Sequence, residues 1–146
     1  MDTSARKRPK RLWVAAVLNM LVGVLAIGLI VFLLASARVP VALRPGGVVA
    51  VSALGAPSFL IVASVIALLG KPYGRYLMLL AALVFFGTLI IQNVQLIGSA
   101  NSALGQGTAP KVIANAVRAS FELTINLWAL LSSKTRQYFG GAAVVP

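Results

Sequence analysis

Residues 110–139 read PKVIANAVRASFELTINLWALLSSKTRQYF, and they carry the only acid set within a long apolar stretch of this sequence. Drawn as a helix, Lys111, Asn115, Arg118, Glu122, Asn126, Ala129 and Ser133 fall at steps of four, three, four, four, three and four, so they share one face. The side chains around that face, Phe121, Leu123, Ile125, Leu127, Trp128, Leu130 and Leu131, are apolar. The expectation is a helix of membrane length with one polar stripe. Such a stripe needs partners, because an amide or carboxylate turned to hydrocarbon finds nothing to bond.

Three further apolar runs surround this one: Leu12–Ala37, Val48–Gly70 and Leu77–Ser99. Each reaches the roughly 20 residues that a helix needs to cross a hydrocarbon core of about 30 Å. The runs are solid rather than alternating, which points to helices and not to barrel strands. Hydrophobic residues make up 60% of the 146 positions and charged ones 10%, more apolar matter than a soluble domain of this length can bury. The predicted fold is therefore all-α: a polytopic membrane protein with four transmembrane helices, at about 12–37, 48–70, 77–99 and 110–139, in an antiparallel bundle. The domain organisation is a basic tail over 1–11, the helical domain over 12–139, and a short tail over 140–146.

Charge sets the orientation. The tail contains Arg6, Lys7, Arg8, Lys10 and Arg11, the turn between the second and third runs contains Lys71 and Arg75, and the C-terminal end contains Lys134 and Arg136. These nine lie on one side; Arg38, Arg44, Lys111 and Arg118 make four on the other. Basic residues are retained on the cytoplasmic side, so both termini are expected there, in a bacterial inner membrane. Ala35-Ser36-Ala37 has the look of a signal-peptidase site, but the run before it is about twice the length of a signal core, and an uncleaved anchor is expected. The net charge of +11 follows from this arrangement, so nucleic acid is not an expected partner. Arg6, Lys7, Arg8, Lys10 and Arg11 are candidates for contact with the lipid surface.

Breakers and turn residues divide the runs. Pro57 in the second run leaves the Ala53 carbonyl without its helical donor, a gap that Ser52 or Ser58 can patch. Lys71-Pro72-Tyr73-Gly74 is a tight reversal with tyrosines suited to the headgroup layer. Asn19 and Gly23 in the first run allow a close helix contact with an interhelical hydrogen bond.

A second polar stripe, Thr88, Gln92, Gln95 and Ser99, runs along the third helix. At a rise of about 1.5 Å per residue, Gln92 and Glu122 come to one level if Thr88 and Asn126 mark the middle of their helices. Gln92, Gln95, Arg118, Glu122 and Asn126 are thus the candidate polar group, with Arg118 placed to pair with Glu122 one turn away. Two uses follow. The group either joins helices or lines a small cavity for an ion, a proton or a polar solute, with Glu122 as its titratable member.

Enzyme chemistry is not expected. The sequence has no histidine and no cysteine, and Asp2 and Glu122 are its only acids, so no catalytic triad, thiol nucleophile, paired-carboxylate site or metal cage can be assembled. No cofactor is predicted. Gly105-Gln106-Gly107 precedes a membrane helix rather than following a strand, which is the wrong context for a nucleotide loop. In size and helix number the chain is similar to small four-helix bacterial inner-membrane proteins such as the small multidrug exporters. Those carry a glutamate in the first helix where this chain has Asn19, so the likeness ends at helix count. The expected partners are the bilayer and either another membrane protein or further copies of the chain.

Overall fold

The structure, a computed structural model, describes residues 9–36, 47–103 and 109–140. Five helices occur among the described residues and no strand: α1 (Lys10–Ala35), α2 (Gly47–Leu68), α3 (Gly74–Ala103), α4 (Ala109–Leu131) and α5 (Ser133–Gly140). α1 packs along α2, α2 along α3 and α3 along α4, α1 meets α4 over a shorter length, and α5 lies against α4.

Small residues let the helices approach. Ala15, Ala16, Ala63, Ala67, Ala81, Ala82, Ala119 and Ala129 are all buried, with Leu12, Leu60, Met78, Phe86 and Leu130 filling the gaps between them. Phe85 and Phe86 meet edge to face at 5.1 Å, a favoured aromatic geometry. At Gly23 the approach of α1 to α2 is closest: a Cβ there would stand 2.7 Å from Ile61 Cγ1 and 3.1 Å from the Pro57 carbonyl oxygen. The residues at the other end of α1 have no such neighbours, for its buried positions stop at Gly23. Leu25, Leu29 and Phe32 are all exposed.

α2 runs through Pro57 without a break. The Ser58 hydroxyl donates to the Leu54 carbonyl at 2.7 Å, one residue on from the Ala53 carbonyl that the proline strips of its donor. Gly70 ends this helix at φ +72°, where a residue with a side chain would be strained. The turn is held by the Gly70 N–H to the Ala67 carbonyl at 3.1 Å and the Gly74 N–H to the Lys71 carbonyl at 2.8 Å.

The boundaries differ from the expected ones in one instructive place. The predicted helix over 110–139 is two helices, separated at Ser132. The reason is local hydrogen bonding. The Ser132 hydroxyl accepts from the Thr135 N–H at 3.4 Å and so caps α5, while the Thr135 hydroxyl donates to the Ala129 carbonyl at 2.7 Å and satisfies the end of α4. The third helix is longer than predicted, running on to Ala103 through what reads in sequence as the start of a loop. The expected outer loops fall largely at 37–46 and 104–108, outside the described residues.

Among the described residues two helices, not the four expected, are long and apolar enough to cross a membrane: α1, and α3 over Gly74–Ile97. In α2 the stretch Ala53–Leu68 is a shorter apolar helix. α4 has 23 residues, but Lys111, Arg118, Glu122, Asn115 and Asn126 dilute its hydropathy. Of the two qualifying stretches only 11% and 28% is buried inside the protein, so neither is wrapped by other parts of the chain.

Candidate functional site

Polar residues are concentrated where the small-residue core ends. Asn19 of α1 and Asn126 of α4 are both completely buried. The Asn19 amide donates to the Asn126 side-chain oxygen at 2.7 Å, and the Asn126 amide donates back to the Asn19 oxygen at 2.9 Å. The second Asn126 N–H goes to the Glu122 carbonyl at 2.9 Å, within its own helix. Two primary amides facing each other this way form a closed pair, which is how buried amides avoid the cost of an empty donor or acceptor.

One turn from Asn126 along α4, about 6 Å, stands Glu122. It is 9% exposed, and one carboxylate oxygen accepts from the Arg118 Nε at 2.9 Å. The pair is lopsided, with side-chain exposures of 64% for Arg118 and 12% for Glu122. The carboxylate is enclosed while the guanidinium beside it is largely exposed.

The two expected stripes therefore do not merge around Asn126. Gln92 and Gln95 are exposed on α3, and the amide that pairs with Asn126 comes from α1. Thr88 is exposed as well, and its hydroxyl is occupied by the Val84 carbonyl at 2.6 Å. Asn93 donates to the Leu89 carbonyl at 2.7 Å. Ser64, Ser120 and Thr124 each bond back to the carbonyl four residues earlier, so none of these hydroxyls needs a partner on another helix. What reaches the surface of α4 is the stripe Lys111, Asn115 and Arg118, all exposed.

A second cluster forms where α1 begins and α4 ends. The Arg11 guanidinium carbon lies 4.0 Å from the centre of the Trp128 ring, which ties the start of α1 to the end of α4. Lys10 is exposed beside it in the first turn of α1, whereas Arg6, Lys7 and Arg8 fall outside the described residues. A Cβ on Gly70 would stand 2.7 Å from the Tyr138 hydroxyl oxygen, so α5 is seated on the turn between α2 and α3.

The interhelical hydrogen bond and close contact expected of Asn19 and Gly23 are both present, the bond with Asn126 of α4 and the contact with α2. The candidate polar group drawn from the third and fourth helices did not include Asn19.

An all-helical protein with two stretches able to span a membrane and a buried amide pair between its first and fourth helices is the class these features define. The chain matches no protein-family model, and neither a curated protein nor a solved structure is similar to it.

Proposed function

We propose that the chain is a small integral protein of a bacterial inner membrane, with α1 to α4 all crossing as an antiparallel bundle and both termini in the cytoplasm. It acts without enzyme chemistry, as a structural or accessory subunit or as a homo-oligomer, through contacts between helices. The distribution of side chains supports the membrane reading. Large apolar residues such as Leu25, Leu29, Phe32 and Phe121 face outward while Asn19, Asn126, Ser64 and Thr135 are buried. In water such a surface would be an extended sticky patch; in lipid it is ordinary.

One observation carries the contact reading. Arg118, the innermost of the four cations assigned to the outer side, lies about 14 Å along α4 from Ala109 and about 20 Å from Leu131, inside the outer half of the helix, yet its side chain is 64% exposed. A cation inside a membrane helix and facing lipid is costly, by up to about 3 kcal/mol at the centre. A neighbouring protein surface that accepts hydrogen bonds from the guanidinium removes that cost; Asn115, three residues before it on α4, is exposed, as is Gln92 on α3. Extraction of the protein from its membrane in a detergent-free polymer disc, followed by mass measurement, tests this. The reading expects a particle holding more protein than one 15.2 kDa chain, and a disc with a single chain alone contradicts it.

A second reading keeps the polar face wet, as the wall of a transporter or channel with Glu122 in its path. The burial of Glu122 beside exposed Arg118 is the feature in its favour. Replacing Glu122 by Gln keeps the shape and removes the charge: transport would be lost, whereas a contact protein would keep its partners.

A further inference from the structure

Six cations gather at the end of the bundle where α1 begins and α5 ends. Lys10 and Arg11 open α1, Lys71 lies in the turn after Gly70, Arg75 lies in the first turn of α3, and Lys134 and Arg136 are on α5. Against them the sequence sets almost nothing. Glu122 is committed to Arg118, and Asp2, its only other acid, falls outside the described residues.

These cations are held in place rather than trailing from a loose end. α5 is pinned by buried Thr135 and Phe139 and by Tyr138, whose hydroxyl stands against Gly70. That seating leaves Lys134 and Arg136 exposed, Lys134 one turn from Tyr138 on the face that meets the Gly70 turn and Arg136 on the other side of α5. The aromatic residues at this end, Tyr73, Tyr76, Trp13 and Trp128, are all exposed, as suits side chains in a headgroup layer.

Arg75 is distinct among the six. Its Nε is buried and has no hydrogen-bond partner, the only such side-chain atom among the described residues. Its guanidinium carbon lies 5.4 Å from the centre of the Tyr76 ring. It is in the first turn of α3, which contains no acidic residue, so the positive end of that helix dipole adds to the charge of the side chains. Arg75 as a whole is half-buried, so its delocalised guanidinium charge stays within reach of an anion at the surface although the Nε itself is enclosed.

We propose that the surface formed by the α2–α3 turn and α5 is a seat for the phosphodiester headgroup of an acidic phospholipid, with Arg75 at its centre and Lys71 and Lys134 around it. The inference rests on the membrane reading above. Basic surfaces flanked by aromatic residues at the cytoplasmic edge of a helix bundle have the chemistry that retains anionic lipid. The lipid also completes the α5 contact, because its phosphate bridges cations from α3 and α5 that otherwise repel each other.

The full chain is reconstituted into discs of equal phosphatidylglycerol and phosphatidylcholine, and the lipids that stay bound are identified by native mass spectrometry. Phosphatidylglycerol is expected to be retained over phosphatidylcholine. Arg75→Gln should weaken its retention about fivefold, as should Lys134→Gln, and Lys111→Gln at the other end should leave it unchanged. Arg75→Lys keeps the charge and should fall between, which keeps the test sound if Arg75→Gln folds poorly. Equal retention of the two lipids overturns the inference, and so does displacement of phosphatidylglycerol by inorganic phosphate, which would mark a site for the free anion. Failure of the chain to enter the discs overturns this inference and the membrane reading together; entry without headgroup preference overturns this inference alone.

Discussion

Asn19 and Asn126 each give the other's side-chain oxygen a hydrogen bond, at 2.7 and 2.9 Å, and neither residue has any exposed surface. The pair joins α1 to α4, two helices that meet over a shorter length than α1 and α2 or α3 and α4. Replacing either asparagine by leucine strands the other amide in an apolar interior at a cost of about 1–3 kcal/mol. Replacing both removes the stranded group along with the bond. The double variant is therefore expected to lose less stability than the sum of the single losses, by about 1 kcal/mol, in unfolding of the purified protein. Simple additivity would show that the pair does not act as a unit.

Two glycines in the same helix should respond in opposite ways. A Cβ at Gly23 meets Ile61 and the Pro57 carbonyl, whereas a Cβ at Gly28 meets nothing within 4 Å. Gly23→Ala forces α1 and α2 apart and is expected to cost about 1–3 kcal/mol. Gly28→Ala removes backbone freedom at no steric cost and should be neutral or stabilising by up to about 1 kcal/mol. Thermal midpoints of the two variants measured side by side check the contrast.

The break at Ser132 makes a prediction about α5 alone. Ser132→Ala removes the side chain that accepts from the Thr135 N–H, a loss of about 1 kcal/mol in helix stability. That raises the open fraction of α5 about fivefold. Lys134 and Arg136 report on it, since tryptic cleavage after them follows the open population. The rate should rise by that factor while the global unfolding midpoint hardly moves.

Orientation depends on the cations of the N-terminal tail. The nine basic residues assigned to the cytoplasmic side become four when Arg6, Lys7, Arg8, Lys10 and Arg11 are made neutral, equal to the four assigned to the other side. A chain with no bias is expected to insert both ways. A C-terminal reporter should then divide between the two compartments, where in the unaltered chain it is expected only in the cytoplasm.

The helical segments were legible because composition and unbroken apolar runs act along the chain, and the turn at Lys71–Gly74 because Pro72, Gly70 and Gly74 are turn residues whatever surrounds them. The Arg118–Glu122 pair was legible for the same reason, being four residues apart on one helix. What sequence spacing could not supply is which helix faces which. Asn126 was matched with amides on α3, and the structure pairs it with Asn19, because the rotation of each helix is decided by close contacts such as Gly23 on Ile61 and not by any local pattern. The split at Ser132 was hidden too. Ser132 and Thr135 look like ordinary hydroxyls in a helix until their hydrogen bonds show that they satisfy two helix ends. Among the described residues two spans qualify rather than four: α2 is counted only over the shorter stretch Ala53–Leu68, and in α4 Arg118, Glu122 and their polar neighbours weigh against a lipid-facing helix, the same feature that calls for a covering partner.

The most direct measurement uses the absence of native cysteine. Single cysteines at Gln92, Gln95, Asn115, Glu122 and Asn126 are exposed, in intact membranes, to a membrane-impermeant maleimide from the outer side, and then to a short bismaleimide. The contact account predicts that Gln92→Cys and Asn115→Cys resist the impermeant reagent and that bismaleimide joins them to a second chain. Rapid labelling of Gln92→Cys, Asn115→Cys and Glu122→Cys from outside, with no cross-linked species, would contradict it and make the polar face the wall of a water-filled path.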